Sequence, residues 1–196
     1  GKGPVSVKIL AYSPGHEPAV AACNARLRAG GAPFLLPERS VPSWLPPAPG
    51  RETYRETYLA FDGDTVRGGF TLRRQPFWLR GDKAAVANYQ GPISEAICDR
   101  RFALVGATML RAALRINPLL YALGMGGFDQ PLPKLLAASG WWLAAVPFRF
   151  RVANGARFVR EVRVVRGGRW RSRLLDLSAA LGLAGLGFQA LHAARA

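Results

Sequence analysis

The sequence contains few cysteines and few histidines. Its 196 residues include two of each. Because Cys23 and Cys98 lie far apart and outside any CxxC pattern, neither a disulfide framework nor a zinc site is predicted, and no metal is expected. Neither histidine lies in a recognisable pairing pattern with Cys98, so the sequence favours an apolar filler over a Cys–His nucleophile. These features are typical of a reducing compartment, and we expect a cytoplasmic protein.

The motifs of several protein classes are also missing. The apolar run at residues 5–11 is too short for a secretory signal and is interrupted by Lys8. Neither GxxxxGK[ST] nor HExxH occurs, and the glycines at residues 124–127 lack the GxGxxG spacing of a dinucleotide fingerprint. P-loop, kinase and zincin functions are therefore not predicted.

Acidic residues are scarce relative to basic ones. Twelve Asp and Glu face 27 Lys and Arg, which gives a formal net charge of +15. The positive electrostatic field of this charge favours anionic ligands or polyanionic partners. The arginine-rich composition that a high-GC genome produces explains the charge equally well. Because no helix-turn-helix, RNP-type strand or zinc finger accompanies the charge, nucleic-acid binding is not favoured.

Alternating apolar residues and turn signals predict a mixed α/β order of elements. A proline-dense segment at residues 33–50 carries bulky apolar side chains and predicts an ordered loop. The predicted strands are 5–12, 56–62, 65–74, 83–93, 119–123 and 142–152, and the predicted helices are 17–28, 100–116 and 131–139.

This order resembles the GNAT superfamily of acyltransferases, and the similarity spans roughly residues 5–152. In that family a central strand and the next strand splay apart, and the gap admits the pantetheine arm of the donor. The resemblance implies an α/β fold (an α+β mixed sheet flanked by helices) in a domain covering residues 1–155. It also implies an N-acyltransferase that uses acyl-CoA or acetyl-CoA.

The family's pyrophosphate motif is matched only at its two ends. It reads Arg or Gln, two residues, Gly, one residue, then Gly or Ala; here Arg101 and Gly106 match, while Leu104 replaces the first glycine. Amides at the start of a helix bind anions in such sites. The resemblance implies a donor site made of Arg101, Phe102, Ala103, Leu104, Val105, Gly106 and Ala107.

Transfer of an acyl group from a thioester to an amine needs a base and hydrogen-bond donors for the oxyanion, and no covalent nucleophile. Glu95, just beyond the predicted central strand, is the candidate base. Asp129 is a second candidate, although the N-cap of the helix beginning near Pro131 is the favoured interpretation. Tyr121 could offer its hydroxyl to the thiolate or the carbonyl oxygen, or be a buried aromatic. Leu136 fills the position of the family's common Tyr general acid.

Two alternatives stay open. Residues 89–93, Tyr-Gln-Gly-Pro-Ile, resemble the strand end of the Fem-like transferases, GNAT relatives whose donor is aminoacyl-tRNA. We favour a bulge that terminates the strand, because proline cannot donate a ladder hydrogen bond. A catalytically inactive GNAT-fold module for binding or assembly is the second alternative, suggested by Leu104 and Leu136.

A C-terminal extension is predicted at residues 156–196. Its arginine-rich part, 157–173, precedes a weakly apolar stretch at 177–194 without charged residues. Such a segment suits docking on a protein partner first and a membrane surface second. Peripheral attachment would favour an envelope-precursor amine over a small-molecule amine as acceptor. The sequence does not indicate the oligomeric state.

Overall fold

The computed structural model describes residues 7–124 and 126–146. The chain divides into two units, the first ending at Leu143, and the elements below all belong to that unit. The predicted boundary near residue 155 and the extension at residues 156–196 lie outside the described residues and stay predictions. Within the described part, no helix is long and apolar enough to cross a membrane.

The predicted order of helices and strands is largely confirmed. Short 3-10 turns at Pro14–His16, Glu95–Ile97 and Arg100–Phe102 supplement it. The main elements are β1 Val7–Ala11, α1 Glu17–Ala29, β2 Tyr54–Asp62, β3 Thr65–Leu79, β4 Asp82–Ser94, α2 Ala103–Ile116, β5 Leu120–Tyr121 and α3 Pro131–Ala138.

The last predicted strand, 142–152, is wrong in its described part. Residues 142–146 adopt no regular structure, and the remainder lies outside the described residues. A strand needs a neighbour to satisfy its backbone groups. Residues 142–146 pair with none of the five described strands.

The five strands form one sheet in the order β1-β2-β3-β4-β5, and only the β4–β5 pair is parallel. One face packs against α2 and α3 through a core that includes Phe70, Tyr89, Met109 and Leu136. The opposite face, here called the α1 face, packs in part against α1 through a second core that includes Leu27. The mixed α/β class predicted from the sequence is confirmed.

The loop at residues 33–50 is irregular but anchored. Buried Asn24 of α1 donates to the Leu36 carbonyl and accepts from the Leu36 N–H, both at 2.9 Å. Both the N–H and the carbonyl oxygen of the Asn24 side chain are therefore hydrogen-bonded. Asn24 binds the backbone of Leu36 as a neighbouring strand would, and it holds the loop against the α1 face.

A β-bulge lies within β4. Gly69 pairs with Ile93 and Thr71 with Gln90, so Gly91 and Pro92 together stand opposite Phe70. Gly91 has φ +50°, which favours glycine. The predicted bulge is present, but it does not terminate the strand, which continues to Ser94.

Candidate active site

The parallel strands β4 and β5 part soon after they meet. They pair only at Ala87↔Leu120 and Asn88↔Tyr121. Beyond this point β4 runs on through residues 89–94 while β5 ends. We call the gap that begins after the second pair the β4–β5 opening. Helix α2 begins at the same end of the sheet as this opening, because the chain enters α2 from the end of β4 and leaves it toward the start of β5.

Four polar residues on consecutive strands are direct partners across the sheet. Arg55 of β2 pairs with Arg73 of β3, Arg73 with Asn88 of β4, and Asn88 with Tyr121 of β5. Directly paired residues share a face, here the α1 face. This polar row therefore ends where the β4–β5 opening begins.

Tyr121 has its hydroxyl oxygen engaged from two sides. The oxygen accepts hydrogen bonds from the Arg73 guanidinium at 3.0 Å and from the Gln75 side-chain amide at 2.8 Å. The ring packs edge-on against Phe77. Since a phenol has one hydrogen and both bonds are accepted, its O–H is left to donate to a third group.

The arginine end of the polar row lies under an aromatic side chain from the 33–50 loop. The guanidinium carbons of Arg55 and Arg73 lie 5.8 and 5.9 Å from the centroid of the Trp44 ring, which is 54% exposed. Neither arginine forms a salt bridge within the described residues.

Asn88, in the middle of the polar row, is only 4% exposed. Its Oδ1 is buried and has no hydrogen-bond partner among the described residues, and the same holds for Nε of Arg55 and of Arg73. Buried polar atoms normally find partners. The polar row therefore has unused hydrogen-bonding capacity for a ligand.

Of the polar row, only Tyr121 was predicted from the sequence. A signal was present, because Thr71, Arg73 and Gln75 of β3 and Asn88 and Gln90 of β4 occupy alternate positions inside strands. Polar residues that recur every second position share one face of a strand. That pattern predicts one polar face, but not which residues of neighbouring strands lie opposite.

Glu95 lies in a different environment. Its carboxylate accepts from Nε of Arg26 in α1 and, at 2.8 Å, from the guanidinium of Arg67 in β3. The Glu95 side chain is 6% exposed, and neither arginine belongs to the polar row. Both oxygens are already bound, so this geometry favours a structural ion pair over an open base.

In the predicted donor site, residues 101–107, the first backbone amides and the Arg101 side chain already have partners. Arg101 is fixed to Asp99 through its Nε and terminal nitrogen at 2.6–3.1 Å, and this hydrogen bonding raises the pKa of Arg101 and lowers the pKa of Asp99. Leu104 is exposed, whereas Phe102 and Val105 are buried. The N–H groups that lead into α2 have partners as well: Arg101 donates to the Asp99 carboxylate, Phe102 to the Asp99 carbonyl and Ala103 to the Arg100 carbonyl.

Asp129 as a second candidate base stays a prediction, and the structure describes its surroundings and those of Leu136. Asp129 is an exposed turn residue; the favoured N-cap interpretation is wrong, because Gln130 holds that position. The extended backbone of the residue before Pro131 explains the shift by one residue. Leu136 is fully buried in the core beneath α3.

The thiols do not form a site with other groups. Cys98 is exposed and Cys23 is buried, and burial raises the pKa of Cys23 to about 11. No cluster of three or more His, Cys, Asp or Glu side chains occurs within residues 7–124 and 126–146.

A separate cleft of about 560 Å³ lies between α1 and the loop, lined by Glu17, Asn24, Arg28, Glu38 and Arg39 among others. It shares no residue with the polar row. Its charges satisfy one another, as in the Arg28–Glu38 pair at 3.2 Å.

Comparison with known proteins gives structural likeness without sequence likeness. No protein-family model and no curated protein matches the sequence. A transcriptional regulator from Bacillus halodurans C-125 superposes with a TM-score of 0.51 at 14% identity, over 75% of this chain and all of that one.

Two acetyltransferase structures superpose slightly less well. One, from Trypanosoma brucei, has a TM-score of 0.48 at 12% identity, over 75% of this chain and all of that one. The other, the aminoglycoside acetyltransferase meta-AAC0020 from an uncultured soil sample in complex with sisomicin, has a TM-score of 0.49 at 12% identity, over 74% of this chain and 96% of that one.

At such identities a likeness concerns the fold alone. The order of elements up to α3 and the early separation of β4 from β5 agree with the arrangement that the sequence resemblance implied. The chain has a mixed α+β fold like that of the Bacillus halodurans structure, and this fold class is the one that the resemblance to the GNAT superfamily implied.

Proposed function

We propose that this chain transfers an acyl group from acyl-CoA, acetyl-CoA included, to an amine acceptor without a covalent enzyme intermediate. The observation that carries the proposal is the Tyr121 hydroxyl at the start of the β4–β5 opening, with its hydrogen available to donate. An amine acceptor bound there would contact the side chains of the polar row. The acyl-CoA donor would lie along the edge of β4 that β5 leaves open.

The chemistry requires one proton donor and one proton acceptor. The amine nitrogen attacks the thioester carbonyl carbon, the C–N bond forms, the C–S bond breaks, and the products are an amide and a thiol. Tyr121 would hydrogen-bond to the developing oxyanion or give its proton to the leaving sulfur, and in the second case the tyrosinate would then take the proton that the amine nitrogen loses. The guanidinium of Arg73, which donates to the phenol oxygen, would stabilise negative charge on it.

The donor's pyrophosphate fits the start of α2 among residues 101–107. The dipole of α2 and the absence of acidic residues from its first turn support anion binding there, through the amides that follow Ala103. Because Asp99 already holds the Arg101 guanidinium, the backbone would contribute more than that side chain. The exposed Leu104 would then contact the pantetheine arm rather than a phosphate.

The first experiment is the melting temperature with acetyl-CoA, longer acyl-CoA and free coenzyme A. A ligand at 100 times its Kd stabilises the folded state by about 2.7 kcal/mol, which is a readily measured shift. A rise with acyl-CoA supports the proposal, and its dependence on chain length ranks the acyl groups. No shift at saturating concentrations overturns it.

Replacing Tyr121 tests the chemistry separately from donor binding. We expect Tyr121→Phe to lower kcat about 100-fold, in the range typical of a lost acid, while the acyl-CoA melting shift persists. Tyr54→Phe, on the other face of β2, is the matched control and should leave turnover unchanged. Equal turnover of Tyr121→Phe and wild type contradicts the assigned role.

A second candidate is a catalytically inactive binding module. The engagement of Glu95 by two arginines favours it, because acyl transfer to an amine needs a base. Glu95 as that base stays a prediction. A chain that acyl-CoA stabilises but that acylates no amine in a broad panel would be such a module.

The Fem-like alternative also stays a prediction. Its Gly91-Pro92 pair has a structural role as the β4 bulge. Salt-dependent binding of aminoacyl-tRNA, with no effect of coenzyme A, would favour it.

A further inference from the structure

Half-buried arginines of the sheet differ in their partners. Arg67 pairs with Glu95 at 2.8 Å, and Arg74 pairs with Glu56 at 3.0 Å. Arg55 and Arg73 are half-buried as well, yet no described carboxylate pairs with either. These two are therefore the exceptions among the arginines on β2 and β3.

The two exceptions are also direct cross-strand partners. Arg55 and Arg73 stand opposite each other on β2 and β3, with both Nε atoms buried and unbonded among the described residues. Like charges at such positions destabilise a sheet. Trp44 lies near both guanidinium groups and attracts them through its ring, but a ring does not neutralise two charges. An anion between them would remove the repulsion.

Tyr121 and Asn88, the other members of the polar row, connect this anion position with the proposed acyl transfer. Arg73 donates one of its N–H groups to Tyr121, so the Arg55–Arg73 pair and the hydroxyl are joined by a single side chain. Asn88 lies between them in the row, and its buried Oδ1 has no described partner. An anion held by the pair would lie on the acceptor side of the β4–β5 opening.

We propose that Arg55 and Arg73 bind an anionic group, a carboxylate or a phosphate, on the amine acceptor, with Trp44 as the wall of the site. Paired guanidinium groups suit the planar oxygens of a carboxylate and the oxygens of a phosphate alike. The inference rests on the proposed acyl transfer, because it assigns the substrate class of that reaction. The acceptor is then an amino acid or an amino-phosphate compound, in preference to a neutral or polycationic amine.

The test compares charged acceptors with neutral counterparts. Acyl transfer is measured with β-alanine and β-alaninamide as the carboxylate arm, and with phosphoethanolamine and ethanolamine as the phosphate arm. We expect kcat/KM to be at least tenfold higher for the anionic member of one arm, and the arm with the larger ratio identifies the anion.

Variants assign that preference to the arginines. Arg55→Gln should lower kcat/KM about tenfold or more for the anionic acceptor and much less for the neutral one, whereas Arg73→Gln should lower both values, because Arg73 also donates to Tyr121. Arg111→Gln removes an equal charge from an exposed position on α2 and should change neither value. Equal losses for both acceptors in Arg55→Gln, or no preference in the wild type, overturn the inference.

A binding measurement keeps the anion site testable without turnover. Phosphate or succinate is titrated at constant ionic strength, balanced with chloride, while tryptophan fluorescence is recorded. We expect a saturable change that Arg73→Gln and Trp44→Phe abolish and Arg111→Gln retains. No saturable change with either probe, together with no charge preference in transfer, contradicts the site.

The two proposals fail in distinguishable ways. Saturable anion binding without an acyl-CoA melting shift removes the acyltransferase function and leaves the anion site. A melting shift with acyl-CoA, combined with equal transfer to charged and neutral amines, removes the anion site and leaves the acyltransferase.

Discussion

Glu95 shows how one side chain can connect three parts of this molecule. It follows the end of β4, and its carboxylate binds Arg26 of α1 and Arg67 of β3. Arg26 also donates to the Val66 carbonyl at 2.7 Å. Loss of one partner of such a buried group leaves the others without compensation, which costs more than the pair itself contributes.

Glu95→Gln should lower the free energy of unfolding by about 2 kcal/mol. Breaking a buried ion pair costs about 3–5 kcal/mol, and the partial exposure of both arginines, 39% and 21%, reduces this. Urea denaturation measures the change. Glu52→Gln breaks the exposed pair with Lys83 and serves as control, with an expected change below about 1 kcal/mol.

The same variant separates a structural Glu95 from a catalytic one. A structural Glu95 predicts lower stability with turnover close to that of wild type at a temperature where the variant is folded. Wild-type stability with strongly reduced turnover would instead identify Glu95 as the base.

At the scale of elements, the close approach of β3 to the bulged part of β4 depends on small residues. A Cβ added at Gly68 would lie 2.5 Å from the Ile93 carbonyl oxygen, and one at Gly69 would lie 2.8 Å from the Tyr58 carbonyl oxygen. Both atoms belong to the backbone of neighbouring strands, which cannot move aside cheaply. The two glycines are therefore needed for the close spacing of the strands, and not for flexibility of the sheet.

Gly68→Ala should destabilise the fold by about 1–3 kcal/mol, the usual cost of overpacking. Gly106→Ala is the matched control, because its added Cβ would have its nearest neighbour at 3.8 Å inside α2. Alanine is favoured over glycine there by about 1 kcal/mol. Thermal unfolding of the two variants should shift in opposite directions, and a Gly68→Ala variant as stable as wild type would contradict the strand geometry.

Elements could be predicted from this sequence more fully than the site. Turn signals such as Asp62-Gly63 and a clear helical period in α2 act over a few residues, so local sequence determines them. The polar row depends on which residues of four strands stand opposite one another. A register shift sets the β2–β3 pairing, and the β4–β5 pairing joins strands that α2 separates along the chain. Glu95 was selected for its place along the chain, but its arginine partners come from α1 and β3, 69 and 28 residues away.

At the scale of the whole molecule, the sheet separates two hydrophobic cores. Cys23 is fully buried in the core beneath α1, whereas Cys98 is exposed near the end of β4. Burial raises the pKa of Cys23 to about 11, so it stays a thiol at pH 8, and the thiolate is the reactive species. Its reactivity therefore reports the opening of that core.

Titration of the native chain with a disulfide reagent at pH 8 should modify one thiol per molecule quickly. The second should react only at the rate of unfolding and should become fast in denaturant. A Cys98→Ser variant, which leaves Cys23 alone, should show the slow phase only. Two fast thiols in the native chain would mean that the core beneath α1 is open in solution.

The β4 bulge has a consequence for how this sequence tolerates change. Because two residues there occupy the place of one, every side chain after Pro92 points to the side opposite the one that strict alternation would give. Exchanging one residue for another at this place alters a local contact. Removing one would turn Ile93 away from the core beneath α1 and invert the remainder of the strand. The chain therefore tolerates substitutions at this bulge far more readily than insertions or deletions.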